Sequence, residues 1–161
     1  MHTSPIAEYT NGRFGALDVP KTAVRPLAEA FAYLRHDRVE RALIDRLERG
    51  PERFRLSINH RDLDEYDPAT HVIHWDPHSA MRTSRGGTQS PALGLAHEID
   101  HAVRDGPRCQ ALAGTADRAY DSKEERRVIC GSERHAARTL GEALRYDHRG
   151  RTYYVAAVTG R

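Results

Sequence analysis

The chain is poor in cysteine, modest in aromatic residues and without an excess of charge of either sign. Its 161 residues include two cysteines, Cys109 and Cys130, too few for a disulfide framework or a four-cysteine zinc site. The 25 Lys and Arg are nearly matched by 23 Asp and Glu, a formal net charge of +2. A dedicated nucleic-acid binder shows a strong basic excess, so no nucleic-acid partner is expected. No apolar run approaches the roughly 20 residues needed to cross a bilayer, and the start, Met1-His2-Thr3-Ser4-Pro5, has no basic-then-apolar signal peptide. Internal repeats and low-complexity stretches are missing too. Aromatics at 7% within a hydrophobic share of 39% are lean, yet not the composition of a disordered chain. The length suits one domain. Histidine is what the chain has in quantity, 10 residues.

Residues 1–21 are polar and aperiodic and read as a flexible N-terminal arm, with 22–161 as a single domain. A helix opening at Pro26 would bury Leu27, Ala30, Phe31 and Leu34 at 3–4 spacing. A second, over 37–48, carries Val39, Leu43, Ile44 and Leu47 on one stripe and stops at Gly50-Pro51. Phe54 to Ile58 alternates as a half-buried strand does, and His71 to Trp75 predicts another, ended by Asp76-Pro77. Between them 62–67 reads as an acidic, turn-rich loop, and 81–89, with Gly86-Gly87, as a second loop. Ser90-Pro91 predicts a helix start, an N-cap serine followed by proline at the first helical position. That helix ends near Asp105-Gly106-Pro107, and 106–121 reads as irregular. Ser122 caps a further helix running to about Leu140, where Gly141 ends it, and 152–158 is the last strand. The order predicts an α+β fold: a small mixed sheet with an active-site helix and a third-ligand helix.

The helix from Ser90 contains His97-Glu98-Ile99-Asp100-His101. Two histidines four residues apart project from one helical face and can ligate one ion, while the intervening glutamate stands beside that ion as a general base. Gly94, one turn earlier, keeps the metal-facing surface open for close approach. A catalytic zinc site needs a third protein ligand and one open position. On the helix from Ser122, Ile129, Cys130, Ala136, Ala137 and Leu140 form the apolar stripe, and Glu133 falls inside it. A carboxylate there is costly unless it is paired or bound to a cation. Glu133 is therefore the preferred third ligand, or else the partner of an arginine. Glu124 and Glu125 compete, although acidic charge at a helix N-terminus accounts for them as well. His148 is a candidate oxyanion donor or a turn histidine, with Tyr146 and Tyr120 as weaker candidates. His71, His74 and Trp75 read as strand packing.

The string Ser90-Pro91-Ala92-Leu93-Gly94-Leu95-Ala96-His97-Glu98-Ile99-Asp100-His101 resembles the zincin toxin domains of the peptidase M91 group. That group includes type III secretion effector proteases and the C-terminal effector domains of type VI secretion spike (VgrG-type) proteins. Glu124 to Glu133 is similar to that group, as is Leu140-Gly141-Glu142 followed by Arg145 to His148; His71 to Pro77 resembles its edge strand. The likeness spans about residues 54–155. It implies a zincin-like metallopeptidase fold, Zn2+ held by His97, His101 and a downstream glutamate, and Glu98 as catalytic base. It further implies a secreted effector delivered into a target cell, a secretion-system carrier, a cognate immunity protein and a protein or peptide substrate.

The expected function is thus hydrolysis of peptide bonds by a zinc-activated water with Glu98 as general base, the substrate lying extended along 71–75. A zinc-dependent hydrolase of a cell-wall amide is the alternative enzyme reading. A non-enzymatic, zinc-stabilised binding module is the alternative outside enzymes.

Overall fold

The computed structural model describes residues 13–161. It begins with a tight hairpin of β1 (Arg13–Phe14) and β2 (Leu17–Asp18). The hairpin turns at Gly15, where φ is +61 and an added Cβ would run into the Glu48 carbonyl. Phe14 and Leu17 are fully buried, so core structure begins well inside the expected arm. Strands of two residues are too short to show an alternating pattern. The rest of that arm, residues 1–12, lies outside the described residues.

A 3₁₀ turn, Lys21–Ala23, leads into α1 (Val24–Leu34), with Leu27, Ala30, Phe31 and Leu34 buried as their spacing predicts. Pro26 sits in the first turn, where its missing N–H has no helical partner to lose. The next helix, α2 (Arg38–Arg49), is capped by the Asp37 carboxylate, which accepts from the Val39 and Glu40 N–H groups at 2.9 and 3.0 Å.

Strand β3 (Phe54–Ile58) pairs in parallel with β2 and with β5 (Val72–Trp75), and β4 (Glu65–Asp67) pairs antiparallel with β5. The sheet order is β1-β2-β3-β5-β4. Strand β5 is therefore interior, which corrects the expected edge strand at 71–75. The edge is β4, formed from the acidic stretch that reads as a loop because only Tyr66 of its three residues is buried.

A second sheet has β6 (Ser79–Thr83) between β10 (Gly150–Tyr154) and β7 (Thr88–Gln89), all antiparallel. The expected loop at 81–89 is thus mostly a hairpin, turned at Gly86 with φ +94. The last strand lies earlier than expected. Gly150 pairs with Thr83 and Tyr154 with Ser79, which uses all of β6. Val158 is buried instead, and its carbonyl accepts from Ala92 N–H at 2.9 Å.

Helix α3 (Pro91–Arg104) packs against α1, α2 and strands of both sheets. Ser90 Oγ accepts from Leu93 N–H at 3.2 Å, while its own N–H and hydroxyl donate to the Glu142 carboxylate at 2.7 Å each. Leu93, Leu95, Ala96, Ile99 and Ala102 are buried, and each leucine or isoleucine so enclosed contributes about 1.5–3 kcal/mol.

The stretch expected to be irregular holds α4 (Pro107–Ala113) and a small hairpin of β8 (Ala116–Asp117) and β9 (Asp121–Ser122). The single helix expected over 122–140 is divided. Helix α5 (Lys123–Val128) runs into a π turn, Ile129–Glu133, before α6 (Arg134–Leu140). Gly131 marks the break with φ −100 and ψ −107, and Gly141 ends α6 at φ +70. The architecture is mixed α+β with small sheets.

Candidate metal centre

Helix α3 presents His97 and His101 one turn apart, their rings edge to face with centroids 4.7 Å apart. Facing them is the first turn of α5. Ser122 Oγ accepts from Glu125 N–H at 3.1 Å, and this cap sets the direction in which Glu124 and Glu125 enter the cleft. Glu125 Oε2 lies 2.9 Å from His97 Nε2, Glu125 Oε1 lies 3.3 Å from His101 Nε2, and the two Nε2 atoms are 3.0 Å apart. Among the described residues, His97, His101 and Glu125 form a group whose donor atoms lie within 4.8 Å of one another and can hold a metal ion. Tetrahedral zinc, with bonds of about 2.0–2.1 Å, sets its donors about 3.3 Å apart. The separations fit.

The outer nitrogens strengthen that fit. His97 Nδ1 meets Glu133 Oε2 at 2.7 Å, and His101 Nδ1 meets Glu124 Oε1 at 3.2 Å. A carboxylate only accepts, so each Nδ1 keeps its hydrogen, and each Nε2 turns a lone pair inward once its own proton is given up. Two lone pairs and the Glu125 carboxylate then converge on one point, which only protons or a cation can neutralise. In the protein alone, burial lowers both imidazoles, but the neighbouring glutamates outweigh it. His97 is raised to about 10 and His101 to about 9. Burial pushes all three glutamates up, yet Glu125 is held far below the usual range by His101, His148 and His97, and Glu133 is held below it by His97 and Arg145. Glu124 is lowered to about 2, chiefly by Arg127.

Glu133 is therefore corrected from third ligand to the partner of His97 Nδ1, on the far side of the ring from Glu125. It is buried as expected, and its charge is met by Arg145 Nη1 at 3.3 Å and by Gln89 Nε2 at 2.9 Å. The break at Gly131 lies between it and Glu125. Arg127 serves Glu124 in the same way through Nε and Nη2, at 2.9 and 2.6 Å.

Glu98 stands beside this group. Its Oε1 is 4.0 Å from His97 Nε2, and its Oε2 accepts the Tyr66 backbone N–H of β4 at 2.7 Å. His148 reaches the rim, with Nδ1 on Asp121 Oδ2 at 2.6 Å and Nε2 3.3 Å from Glu125 Oε2; the hydrogen bond to Glu125 is the largest influence raising it.

The chain matches no family model, no curated protein and no solved structure.

Two cavities flank the centre. One of about 400 Å³ opens on the His101 side, and one of about 160 Å³ on the His97 side. Asp64, Glu98 and His148 line both. Tyr120 and Tyr146 line neither; Tyr146 stacks under Arg85, 3.9 Å from its ring centre. His71 packs on Phe54 and Tyr66, and His74 is part of β5.

Sequence reasoning missed Asp64 altogether. Its Oδ1 accepts Asp76 N–H at 2.8 Å, and its Oδ2 lies where a Cβ on Gly94 would come within 2.6 Å. The close approach that Gly94 permits is thus made by a carboxyl group of the protein itself. The acidic run around it was the available signal.

Proposed function

We propose that this chain is a zinc-dependent, zincin-type peptidase domain that acts as a delivered effector. The observation that carries the peptidase reading is the convergence of His97 Nε2, His101 Nε2 and Glu125 on one point, with Glu98 Oε1 4.0 Å from His97 Nε2. Three protein donors suit a catalytic zinc site, whereas structural sites are closed by four. The effector role is supported by the resemblance of the Ser90–His101, Glu124–Glu133, Leu140–Glu142 and Arg145–His148 stretches to zincin toxin domains.

A bound zinc ion supplies Lewis acidity toward a scissile carbonyl and toward water. The chain's own groups do the remaining work. Tyr66 N–H engages Glu98 Oε2 and leaves Oε1 free to take a proton from the attacking water and pass it to the leaving amine. His148 is oriented by Asp121, and its Nε2, which meets Glu125 at 3.3 Å in the substrate-free cleft, can exchange that contact for one to the tetrahedral oxyanion. Glu133 and Glu124 fix the tautomers of His97 and His101.

The substrate path differs from strand addition at 71–75, since β5 is covered on both sides. The Tyr66 N–H on the β4 edge is already engaged by Glu98. An extended substrate instead follows the two cavities past Asp64, Glu98 and His148.

The test is a pair of proteins, wild type and Glu98→Gln, assayed for bound zinc and for new N-termini in an incubated proteome. Equal zinc in both, with new termini generated only by wild type, is the expected result. Equal cleavage by Glu98→Gln would discard the mechanism.

A further inference from the structure

The larger cavity carries more negative charge than the metal centre accounts for. Glu98, Glu124 and Glu125 belong to the centre, yet Asp64, Glu65 and Asp105 also line it, and no Lys or Arg does. Asp105 is engaged, accepting from the Tyr66 hydroxyl at 2.9 Å and from Gln110 Nε2 at 3.2 Å. Asp64 is engaged on one side alone. Its Oδ1 is held by Asp76 N–H, whereas among the described residues no donor meets Oδ2, which lies against Gly94, and Asp64 lines both cavities. Leu63, Tyr66, Pro68 and Ala113 give the same cavity apolar walls.

We propose that this cavity is the specificity pocket for a lysine or arginine side chain next to the scissile bond, with Asp64 as its charge partner. The inference rests on the peptidase reading and narrows it to substrates with a basic residue at that position. The apolar walls take the aliphatic stem, as long cationic side chains commonly lay theirs along apolar surface. The head group reaches Asp64 Oδ2, with Glu65 and Asp105 adding field of the same sign. Glutamate in the same position would be rejected by like charge. Burial, with Glu98 adding to it, outweighs the hydrogen bond from Asp76 and raises the Asp64 carboxyl to about 8, and a cationic head group beside it would favour its charged form. Gly94 belongs to the same device, because any larger residue there would displace Oδ2.

The probes are fluorescein-labelled alanine-based hexapeptides carrying Lys, Arg, norleucine or Glu at one central position. Binding is measured by anisotropy on the zinc-loaded Glu98→Gln protein, which separates recognition from turnover. The Lys and Arg peptides should bind at least about tenfold tighter than the norleucine peptide, with the Glu peptide weakest; tenfold corresponds to about 1.4 kcal/mol. Adding Asp64→Asn, which keeps an acceptor for Asp76 N–H, should shrink the Lys-to-norleucine ratio to about threefold or less. Unchanged thermal melting would show that this variant is folded. Equal affinity for Lys and norleucine, or a preference that survives Asp64→Asn, would overturn the pocket. Retained preference for the basic peptides with no cleavage of any of them by wild type would support the pocket and discard the peptidase reading.

Discussion

The two histidines of the candidate centre are supported by the same three-part chain of imidazole, carboxylate and guanidinium, built from different parts of the fold. On the His101 side, Glu124 and Arg127 are three residues apart on α5, and Arg127 also reaches the buried Asp100 at 2.7 Å. On the His97 side, Glu133 lies in the π turn and Arg145 twelve residues further on, with Gln89 supplied from β7. The first arrangement is local and held by short ionic contacts. The second is assembled by tertiary packing and held by enclosure, with Glu133 2% exposed. One chemical need has been met once by helix periodicity and once by the meeting of remote segments.

That contrast can be broken most forcefully at the donors. His97→Ala and His101→Ala should each abolish stoichiometric zinc binding, measured by equilibrium dialysis with elemental analysis. Retention by either would show that the two sides are not both required.

The arginines should separate the two sides next. Arg127→Ala leaves Glu124 and Asp100 without their main cation, and removing one partner of a buried ionic group costs about 3 kcal/mol or more. Arg145→Ala removes a longer contact, while Gln89 and His97 remain on Glu133, so about 1–2 kcal/mol is expected. Urea unfolding of the metal-free proteins measures both, and the reverse ranking would contradict the comparison.

A smaller effect is expected at the carboxylates. Glu133→Gln and Glu124→Gln should each weaken zinc affinity by about 10- to 100-fold. Glu133→Gln should lie toward the upper end because its contact to Nδ1 is the shorter, 2.7 against 3.2 Å. Competition against a chelator of known affinity reads the ranking.

The slightest expected effect is one of pH. The charged imidazoles of the metal-free protein contribute stability that is complete below their ordinary value of about 6.5. That contribution is lost as pH rises through about 9 for His101 and about 10 for His97. Zinc requires the deprotonated Nε2 atoms, so its added stability grows over the same range. The gap in Tm between zinc-loaded and metal-free protein should widen from pH 6.5 to 9, and a narrowing gap would contradict proton competition at these two histidines.

The α3 half of the centre was legible in the sequence. Ser90 and Pro91 mark the helix start, and the 3.6-residue period alone places His97 and His101 on one face with Glu98 between them. The other half was not. The apolar stripe from Ile129 to Leu140 was extended as one regular helix, and the π turn at Gly131 breaks that period where Glu133 sits. Burial and the need for a partner were read correctly, but the nitrogen that Glu133 would meet was not. Strand β4 and the β1–β2 hairpin escaped for another reason: with two or three residues each, they owe their form to pairing rather than to a local pattern. Asp64 was hidden in the acidic run because nothing local distinguishes it from its exposed neighbours.

The π turn has a mechanical meaning as well. Glu125 and Glu133 come from one interrupted helix and grip opposite nitrogens of the same His97 ring, at 2.9 and 2.7 Å. A ring pinned at both ends cannot rotate without breaking one of those contacts. Little ordering therefore remains to be done when a ligand arrives, which preserves affinity that a mobile side chain would lose as entropy. The same rigidity makes the distance between the two glutamates a structural tolerance. Inserting or deleting one residue between 126 and 132 would move both jaws of the clamp relative to each other while changing none of the residues that could hold an ion.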